Sequence, residues 1–383
     1  MKKRLVIVQP ILSPYSIPRF EELAKDENFK VILLLEKETF SHRPGWNITD
    51  VKGCKIDLID SYIKKEKVKN TEQKYIIEGI WAIPYKMPKL LLKYRPHIVL
   101  VCNATELLFT YPLKQVLNYK IGLIVEDTIH AVRNKKTIQK RLKSILYRKA
   151  DFFLAFSNDS ISYLHEIGVN KPIYRTSWSV DLHKFSFSDL KKIDEISKKF
   201  KFSDKITFIT VAQLIPGKGI MNLLKAWNEL PEEIQAKISL IIIGDGPQKN
   251  EIANLIKQKN IPNVYLLGQK PYEEIIHYYH ASDVFVLPTL KDLFSLVVME
   301  AMACGLPVLT TIYNGAKELI IEGRNGYIFD SSNIEDIKRV IIKIYENKEK
   351  LKEMGNISLE IIKDYSHEKV IKNLKAILER VLI

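Results

Sequence analysis

Short apolar runs alternate with amphipathic stretches along this chain. In the first half the runs cover residues 4–10, 30–36, 97–103, 120–127 and 151–157. The stretches between them carry apolar residues at helical spacing, as in IPRFEELAKD, which follows Ser16 and has Pro18 in its first turn. Continuous apolar strands that are separated by helices predict a parallel sheet covered on both faces.

The same pattern starts again in the second half. It follows a polar, lysine-rich stretch at 181–205, and its apolar runs cover residues 206–214, 237–247, 263–269, 283–289 and 306–311. Apolar residues at helical spacing then continue to the last residues, 366–383. We therefore predict two doubly wound α/β domains, residues 1–186 and residues 187–365, followed by a C-terminal helix at 366–383.

Composition agrees with a globular protein. The 383 residues are 46% apolar and 27% charged, and a prior of about 150 residues per domain favours two or three domains. The three cysteines lie far apart and form no zinc-type pair, so we expect free thiols. No apolar run approaches the roughly 20 residues of a membrane span, and the first residues have no cleavage signal, which predicts a cytoplasmic protein.

The net charge of +14 is concentrated in one half of the chain. Residues 1–186 hold 32 Lys and Arg against 19 Asp and Glu, and residues 187–383 hold 27 against 26. A genome-wide bias toward lysine would give both halves a similar excess of positive charge. The first half is therefore expected to meet an anionic partner, such as a membrane surface, a phosphorylated acceptor or nucleic acid.

One stretch, TLKDLFSLVVMEAMACGLPVLTT at 289–311, combines a strand end, a loop and an apolar helix. Ligands bind at the carboxyl ends of parallel strands, so amide groups near Phe294, Ser295 and Leu296 predict an anion site suited to a diphosphate. Glu300 lies inside this apolar helix and needs hydrogen-bond donors, for which sugar hydroxyls are suitable; solvent exposure is its alternative. Asp292 lies beside the expected ligand or, alternatively, caps the helix.

A second stretch, VAQLIPGKGI at 211–220, follows the first strand of the second domain. It lacks the GxxxxGK[ST] pattern of a Walker A loop. Gly217 and Gly219 flank Lys218, which predicts a lysine that reaches a phosphate group; an ordinary surface lysine is the alternative.

Together these motifs resemble retaining glycosyltransferase family 4. The carriers are VAQLIPGKGI, IIIGDGP, VYLLGQ, the 289–311 stretch and NGAKELIIEGRNGYIFD, in family order, with a weaker match in the first half. The resemblance implies the GT-B fold, in which two Rossmann-like domains face each other and the C-terminal helix crosses back to the first. It also implies that the second domain binds a nucleotide sugar and the first binds the acceptor.

The resemblance assigns roles to individual residues. Asp292 and Glu300 match the family's two acids, so that Asp292 would contact the donor sugar and Glu300 the ribose. The amides of Ser295 and Leu296 would hold the diphosphate, and Lys218 would neutralise the leaving phosphate. Gln213 stands where the family has an arginine. The donor-side candidates are Gln213, Gly217, Lys218, Lys270, Asp292, Leu293, Phe294, Ser295, Leu296 and Glu300.

On the acceptor side, the family's glycine-rich loop is replaced by LSPYS. Backbone groups at Ser16 or Ile17, on the acceptor side, are therefore the candidates for a contact from this domain to the donor. Glu126 and His130 follow a predicted strand and are candidates to orient the acceptor hydroxyl, with ordinary polar loop residues as the alternative. The catalytic candidates are Lys218, Asp292, Glu126 and His130.

The resemblance implies a metal-independent reaction without a cofactor, since no DxD-like motif ends a strand. The expected donor is a UDP or GDP sugar, and the expected acceptor is a glycan or a lipid-linked glycan of bacterial surface polysaccharide or lipopolysaccharide. The basic segment at 133–149 predicts either a helix on anionic lipid at the inner face of the membrane or a packed surface helix. The alternatives are a non-catalytic nucleotide-sugar-binding homologue and, less favoured, a nucleic-acid-binding protein.

Overall fold

The computed structural model describes residues 2–36, 50–69, 76–128, 137–202 and 204–383. The chain divides into two compact units. The first contains Met1–Ser179 and His367–Ile383, and the second contains Val180–Ser366. The first unit is therefore built from two separate pieces of the sequence.

The first unit is built on a seven-stranded parallel sheet. Its strands are β1 Lys3–Gln9, β2 Phe29–Leu35, β3 Lys55–Leu58, β6 Ile98–Val101, β7 Lys120–Val125, β8 Phe152–Ala155 and β9 Ile173–Arg175. Their order across the sheet is β3-β2-β1-β6-β7-β8-β9. Leu5 in β1 pairs with Val31 on one side and with Ile98 on the other. Strands β4 Tyr62–Lys69 and β5 Ile76–Ile83 form a separate antiparallel pair.

Helices cover both faces of this sheet. The described helices are Ile17–Ala24, Met87–Tyr94, Ala104–Thr110, Lys114–Leu117, Thr137–Tyr147, Asn158–Glu166 and, from the end of the chain, His367–Arg380. The last helix places Ile371, Leu374 and Leu378 in the same apolar core as Phe20 and Leu23 of the first helix. The predicted return of the C-terminal helix to the first unit is thus confirmed.

The second unit has a six-stranded parallel sheet. Its strands are β10 Ile206–Val211, β11 Ile238–Ile243, β12 Val264–Gly268, β13 Val284–Val286, β14 Val308–Thr311 and β15 Gly326–Phe329. Their order across the sheet is β12-β11-β10-β13-β14-β15. Its helices are Leu182–Ser186, Leu190–Phe200, Ile220–Asn228, Glu232–Gln235, Lys249–Gln258, Tyr272–His280, Leu296–Ala303, Ile334–Glu346 and Leu351–Ile362. Each sheet is doubly wound, as the alternating pattern predicts.

The division between the units falls earlier than the expected boundary at residue 186. Residues 180–186 belong to the second unit, where the Phe185 ring is 1% exposed and packs edge-on against Tyr272 and Tyr279. The expected polar linker is largely helical. Ser366 also lies in the second unit, because it pairs with Val180 there.

Among the described helices, none combines the length and the apolar character that a membrane span requires.

Candidate active site

Two residues that the sequence singled out separately meet in the second unit. Strands β10 and β13 are parallel neighbours, so the loops that follow them leave the same edge of the sheet. Lys218 lies in the first loop and Asp292 in the second, and their side chains form an ion pair. The Lys218 side chain is 23% exposed and that of Asp292 is 14% exposed. The pair is therefore partly shielded from water and still accessible to a ligand.

The glycines beside Lys218 bring these two loops together. The backbone oxygen of Gly217 accepts hydrogen bonds from the Leu290 amide at 2.8 Å and from the Thr289 hydroxyl at 3.0 Å. Gly219 has φ +69°, and a Cβ atom there would lie 1.9 Å from the backbone oxygen of Pro288. Only glycine fits this position without moving the loop that carries Asp292.

Thr289 fixes the start of that loop. It is fully buried, and its backbone oxygen accepts hydrogen bonds from the hydroxyls of Thr311 at 2.8 Å and Ser331 at 2.9 Å. Its own hydroxyl also lies 3.2 Å from the backbone oxygen of Lys291. Neighbouring segments thus hold the loop in place before any ligand binds, which reduces the conformational entropy lost on binding.

The helix Leu296–Ala303 starts beside the ion pair, with Ser295 at its N-cap position. The alternative role of Asp292 as the helix cap is therefore wrong. The Ser295 amide donates to the Asn314 side-chain oxygen at 3.2 Å, so this amide is already engaged, contrary to the expectation that it points free at a ligand. Among the described contacts, no protein acceptor takes the Leu296 amide. One predicted amide donor thus stays open at the helix terminus.

Asn314 connects this helix start to the next strand end. It is fully buried, and its side-chain oxygen also accepts the Ala316 amide at 3.1 Å while its amide group donates to the Thr310 hydroxyl at 2.9 Å. The backbone turns tightly at the following residue, because a Cβ atom at Gly315 would lie 1.9 Å from the backbone oxygen of Leu293. Asn314 and Gly315 therefore determine where the helix terminus lies.

Glu300 is buried on the same helix, with 6% of its surface exposed, so the alternative of solvent exposure is wrong. Its two carboxylate oxygens accept hydrogen bonds from the hydroxyls of Tyr272 at 3.0 Å and Tyr279 at 3.2 Å. Burial raises the pKa of Glu300 to about 7, although the two tyrosine hydrogen bonds and the nearby Lys184 act in the opposite direction. The required donors are thus protein hydroxyls, and each oxygen keeps a second lone pair for a ligand.

The other donor-side candidates lie around this centre. Gln213 is exposed after β10, and Leu293 is half-buried beside Asp292. Phe294 is 7% exposed and packs into the core instead of facing solvent. The Lys270 ammonium lies 5.8 Å from the centre of the Tyr278 ring.

Two of the acceptor-side candidates line one pocket of the first unit, and Ile17 is not part of its lining. Glu126, directly after β7, and Ser16, at the start of the first helix, both contribute to its wall. The Ser16 hydroxyl donates to the Ser13 backbone oxygen at 2.8 Å, so its side chain supports the turn before Ile17. Burial raises the pKa of Glu126 to about 7. His130, the other predicted residue, lies outside the described residues.

Sequence reasoning missed several residues of these sites. Thr289 and Asn314 begin two of the motifs described above, but the sequence assigns neither residue a role. Their contacts join segments that are distant in sequence. Tyr272 and Tyr279 lie seven positions apart, a spacing that places both on one face of a helix, and this was the available signal. The sequence pattern places Arg19 in an amphipathic helix and gives no sign that its side chain lines a pocket.

The centre that contains Lys218, Asp292 and Glu300 lies in a segment that is similar to a known sequence family. A family model described as Glycosyl transferases group 1 matches residues 192–360. The matched residues make up less than half of the chain. They lie within the second unit.

Relatives with longer alignments carry related names. An uncharacterized glycosyltransferase of Methanocaldococcus jannaschii is 31% identical over 250 residues, which are 63% of this chain and 62% of that protein. The chain thus aligns with less than two thirds of this relative's length. N-acetyl-alpha-D-glucosaminyl L-malate synthase of Bacillus anthracis is 27% identical over 282 residues, which are 71% of this chain and 71% of that protein.

A solved structure resembles the whole chain. The crystal structure of Anabaena HepE in complex with UDP covers 99% of this chain and 100% of its own at a TM-score of 0.77 and 16% sequence identity. At this identity the likeness shows the fold. The chain therefore has the predicted GT-B fold, and the residues that the family model matches lie in one of its two units.

Proposed function

We propose that this protein is a retaining, family 4-type glycosyltransferase that moves a sugar from a nucleoside-diphosphate sugar to a glycan or lipid-linked acceptor. The observation that carries the proposal is the Lys218–Asp292 ion pair beside the N-terminus of the Leu296–Ala303 helix, with Glu300 buried on that helix. Lys218 and the helix terminus suit a diphosphate, while the carboxylates of Glu300 and Asp292 suit the hydroxyls of a ribose and of a donor sugar.

The spacing of these groups supports the proposal. Leu296 and Glu300 are four positions apart, which puts them on one helix face about 6 Å apart along the axis. In our proposal the diphosphate binds the Leu296 amide and Lys218, while the ribose hydroxyls donate to Glu300. Asp292 accepts a hydrogen bond from a hydroxyl of the donor sugar and keeps the Lys218 ammonium oriented.

In the proposed reaction, the bond between the anomeric carbon and the phosphate oxygen breaks as the acceptor oxygen bonds to the same face of that carbon. The acceptor proton passes to the departing phosphate oxygen. Lys218 and the helix terminus stabilise the negative charge that develops on the diphosphate, which is electrostatic transition-state stabilisation. These protein charges support our proposal that no metal ion is required.

UDP is the donor nucleotide that we test first, since HepE was solved with UDP. GDP is the second. The +13 charge of residues 1–186, given by 32 basic and 19 acidic residues, supports an acceptor with anionic groups, as in surface polysaccharides or lipopolysaccharide. A non-catalytic sugar-nucleotide-binding protein is the rival function.

The test compares wild type, Lys218→Met and Lys225→Met. Lys225 is exposed on the Ile220–Asn228 helix, so its replacement is a matched loss of one charge from the same domain. Release of UDP or GDP from their sugar conjugates is measured with glycan and lipid-linked acceptors, with magnesium and with EDTA. We expect turnover to fall about 10²- to 10³-fold in Lys218→Met and to stay unchanged in Lys225→Met.

Thermal stabilisation by UDP, GDP and ADP separates the rival functions. Stabilisation without turnover on any acceptor supports the non-catalytic alternative. No stabilisation by any nucleotide contradicts the donor site itself. Loss of turnover in EDTA that magnesium restores contradicts the proposed metal independence.

A further inference from the structure

The pocket of the first unit contains a buried cation that the proposed reaction does not use. Arg19 lies in the first helix, Ile17–Ala24, and lines the pocket together with Gln9, Ser13, Ser16 and Glu126. Arg19 is 9% exposed. A charged side chain this deeply buried is rare unless it has a partner.

The protein supplies this guanidinium mainly with aromatic contacts. Its central carbon lies 5.0 Å from the centre of the Phe156 ring and 5.5 Å from that of Trp178. Cation–π contacts stabilise the charge, but aromatic rings supply no acceptor oxygens for its five N–H donors. Within the described part of the chain, no hydrogen bond or ion pair involves the Arg19 guanidinium.

The nearest charged groups leave the cation without a close counterion. Glu126 attracts Arg19 electrostatically, yet the two side chains form no ion pair among the described contacts. Burial lowers the pKa of Arg19 to about 10, so the group stays charged at neutral pH. Burial also raises the pKa of the neighbouring Cys102 thiol well above its ordinary value, which keeps that group neutral. An uncompensated buried charge is unfavourable, so the electrostatic free energy gained by binding an anion is larger here than at the surface.

Two polar neighbours of Arg19 are already engaged. The Ser16 hydroxyl donates to the Ser13 backbone oxygen at 2.8 Å, and the Gln9 amide group lies 3.5 Å from the Cys102 sulfur. Arg19 is the cationic group on this wall, and the described contacts leave its N–H donors unused. A planar guanidinium with free N–H donors matches the two oxygens of a carboxylate or a phosphate.

We propose that Arg19 binds an oxyanion, a carboxylate or a phosphate, that the acceptor carries. The proposal rests on the proposed function, because it takes the ligand of Arg19 to be the acceptor of that reaction. It names the chemical class of this acceptor. Neutral acceptors without such a group would leave the Arg19 charge uncompensated. The pocket thus selects acidic acceptors over neutral ones.

The test measures anion binding in wild type, Arg19→Met, Arg19→Lys and the control Lys89→Met. Lys89 is exposed on the Met87–Tyr94 helix, so its replacement removes one charge from the same unit without touching the pocket. Inorganic phosphate and malonate are titrated separately, with saturating UDP present to occupy the donor site. The readouts are the thermal unfolding midpoint and tryptophan emission, since Trp178 lies against Arg19.

We expect wild type and Lys89→Met to bind at least one of the two anions saturably, and Arg19→Met to bind it at least tenfold more weakly. The anion that binds more tightly identifies the acceptor group as a carboxylate or a phosphate. Equal binding by wild type and Arg19→Met overturns the proposal, and so does absence of saturable binding in wild type.

If Arg19→Met does not fold, Arg19→Lys decides the question. The lysine ammonium keeps the charge and loses the paired donors, so the apparent affinity should fall several-fold at unchanged stability. Unchanged affinity overturns the proposal. A wild type that binds the anion but is stabilised by none of UDP, GDP and ADP contradicts the proposed function and leaves the Arg19 site standing, so the two failures are distinguishable.

Discussion

Replacing Gly219 with alanine tests whether the two loops at the donor site depend on their close approach. A Cβ atom at this position would lie 1.9 Å from the Pro288 backbone oxygen, and the residue has φ +69°. Gly217, two positions earlier, provides a matched control, because nothing lies within 4 Å of a Cβ atom built there. The two variants therefore make the same chemical change in one motif with opposite steric consequences.

The expected loss of stability follows from two terms. Holding alanine in the left-handed region costs about 1 kcal/mol. Relieving the contact requires Pro288 to move by about 1 Å, which strains the two hydroxyl hydrogen bonds to the Thr289 backbone oxygen, from Thr311 and Ser331, at about 1 kcal/mol each. Gly219→Ala should therefore lower the free energy of unfolding by about 3 kcal/mol.

Guanidinium denaturation measures the stability of both variants, and titration with UDP measures donor affinity. We expect Gly217→Ala to stay within about 0.5 kcal/mol of wild type. Gly219→Ala should bind UDP more weakly even where it is fully folded, because the displaced loop carries Asp292, the partner of Lys218. Equal stability and equal UDP affinity in the two variants would refute the reasoning.

Two further predictions concern pH and lipid. Because Glu300 has a raised folded pKa of about 7, its ionised, hydrogen-bond-accepting form is lost as pH falls, and UDP affinity should drop about tenfold between pH 8 and pH 6. Calorimetry on Glu300→Gln should show a smaller pH dependence; an unchanged dependence contradicts the role of the carboxylate. Leu142 and Ile145 are each 58% exposed and three positions apart on the basic Thr137–Tyr147 helix. Replacing both with serine should abolish co-sedimentation with anionic vesicles at low salt, whereas equal sedimentation of variant and wild type contradicts membrane contact through this helix.

The fold was largely predictable because its central strands are parallel. Strands buried on both faces have continuous apolar sequences, as ISLIII in β11 illustrates. The missed strands lack this signal. Tyr62–Lys69 contains alternating lysines, while β9 Ile173–Arg175 and β15 Gly326–Phe329 are short edge strands whose pairing depends on distant neighbours. The 181–205 stretch has polar composition, and only the tertiary contacts of Phe185 show where it belongs.

The candidate site was predictable where chemistry follows from local sequence. Lys218 lies between two glycines and Asp292 follows a strand, so both were assigned to the same sheet edge, where the structure pairs them. The role of Asn314 depends on a hydrogen bond to an amide in another segment, which no local pattern reveals. Arg19 resembles a surface residue of an amphipathic helix until the rings of Phe156 and Trp178 are placed beside it.

The return of the His367–Arg380 helix has a consequence for how the protein is made. Ribosomes synthesise the second unit, residues 180–366, before the residues that complete the apolar core around Phe20 and Leu23. The second unit is therefore free to fold during translation, whereas the sheet of the first must wait with one face partly uncovered. The first unit begins to be synthesised before the second, yet its apolar core is the later of the two to be complete.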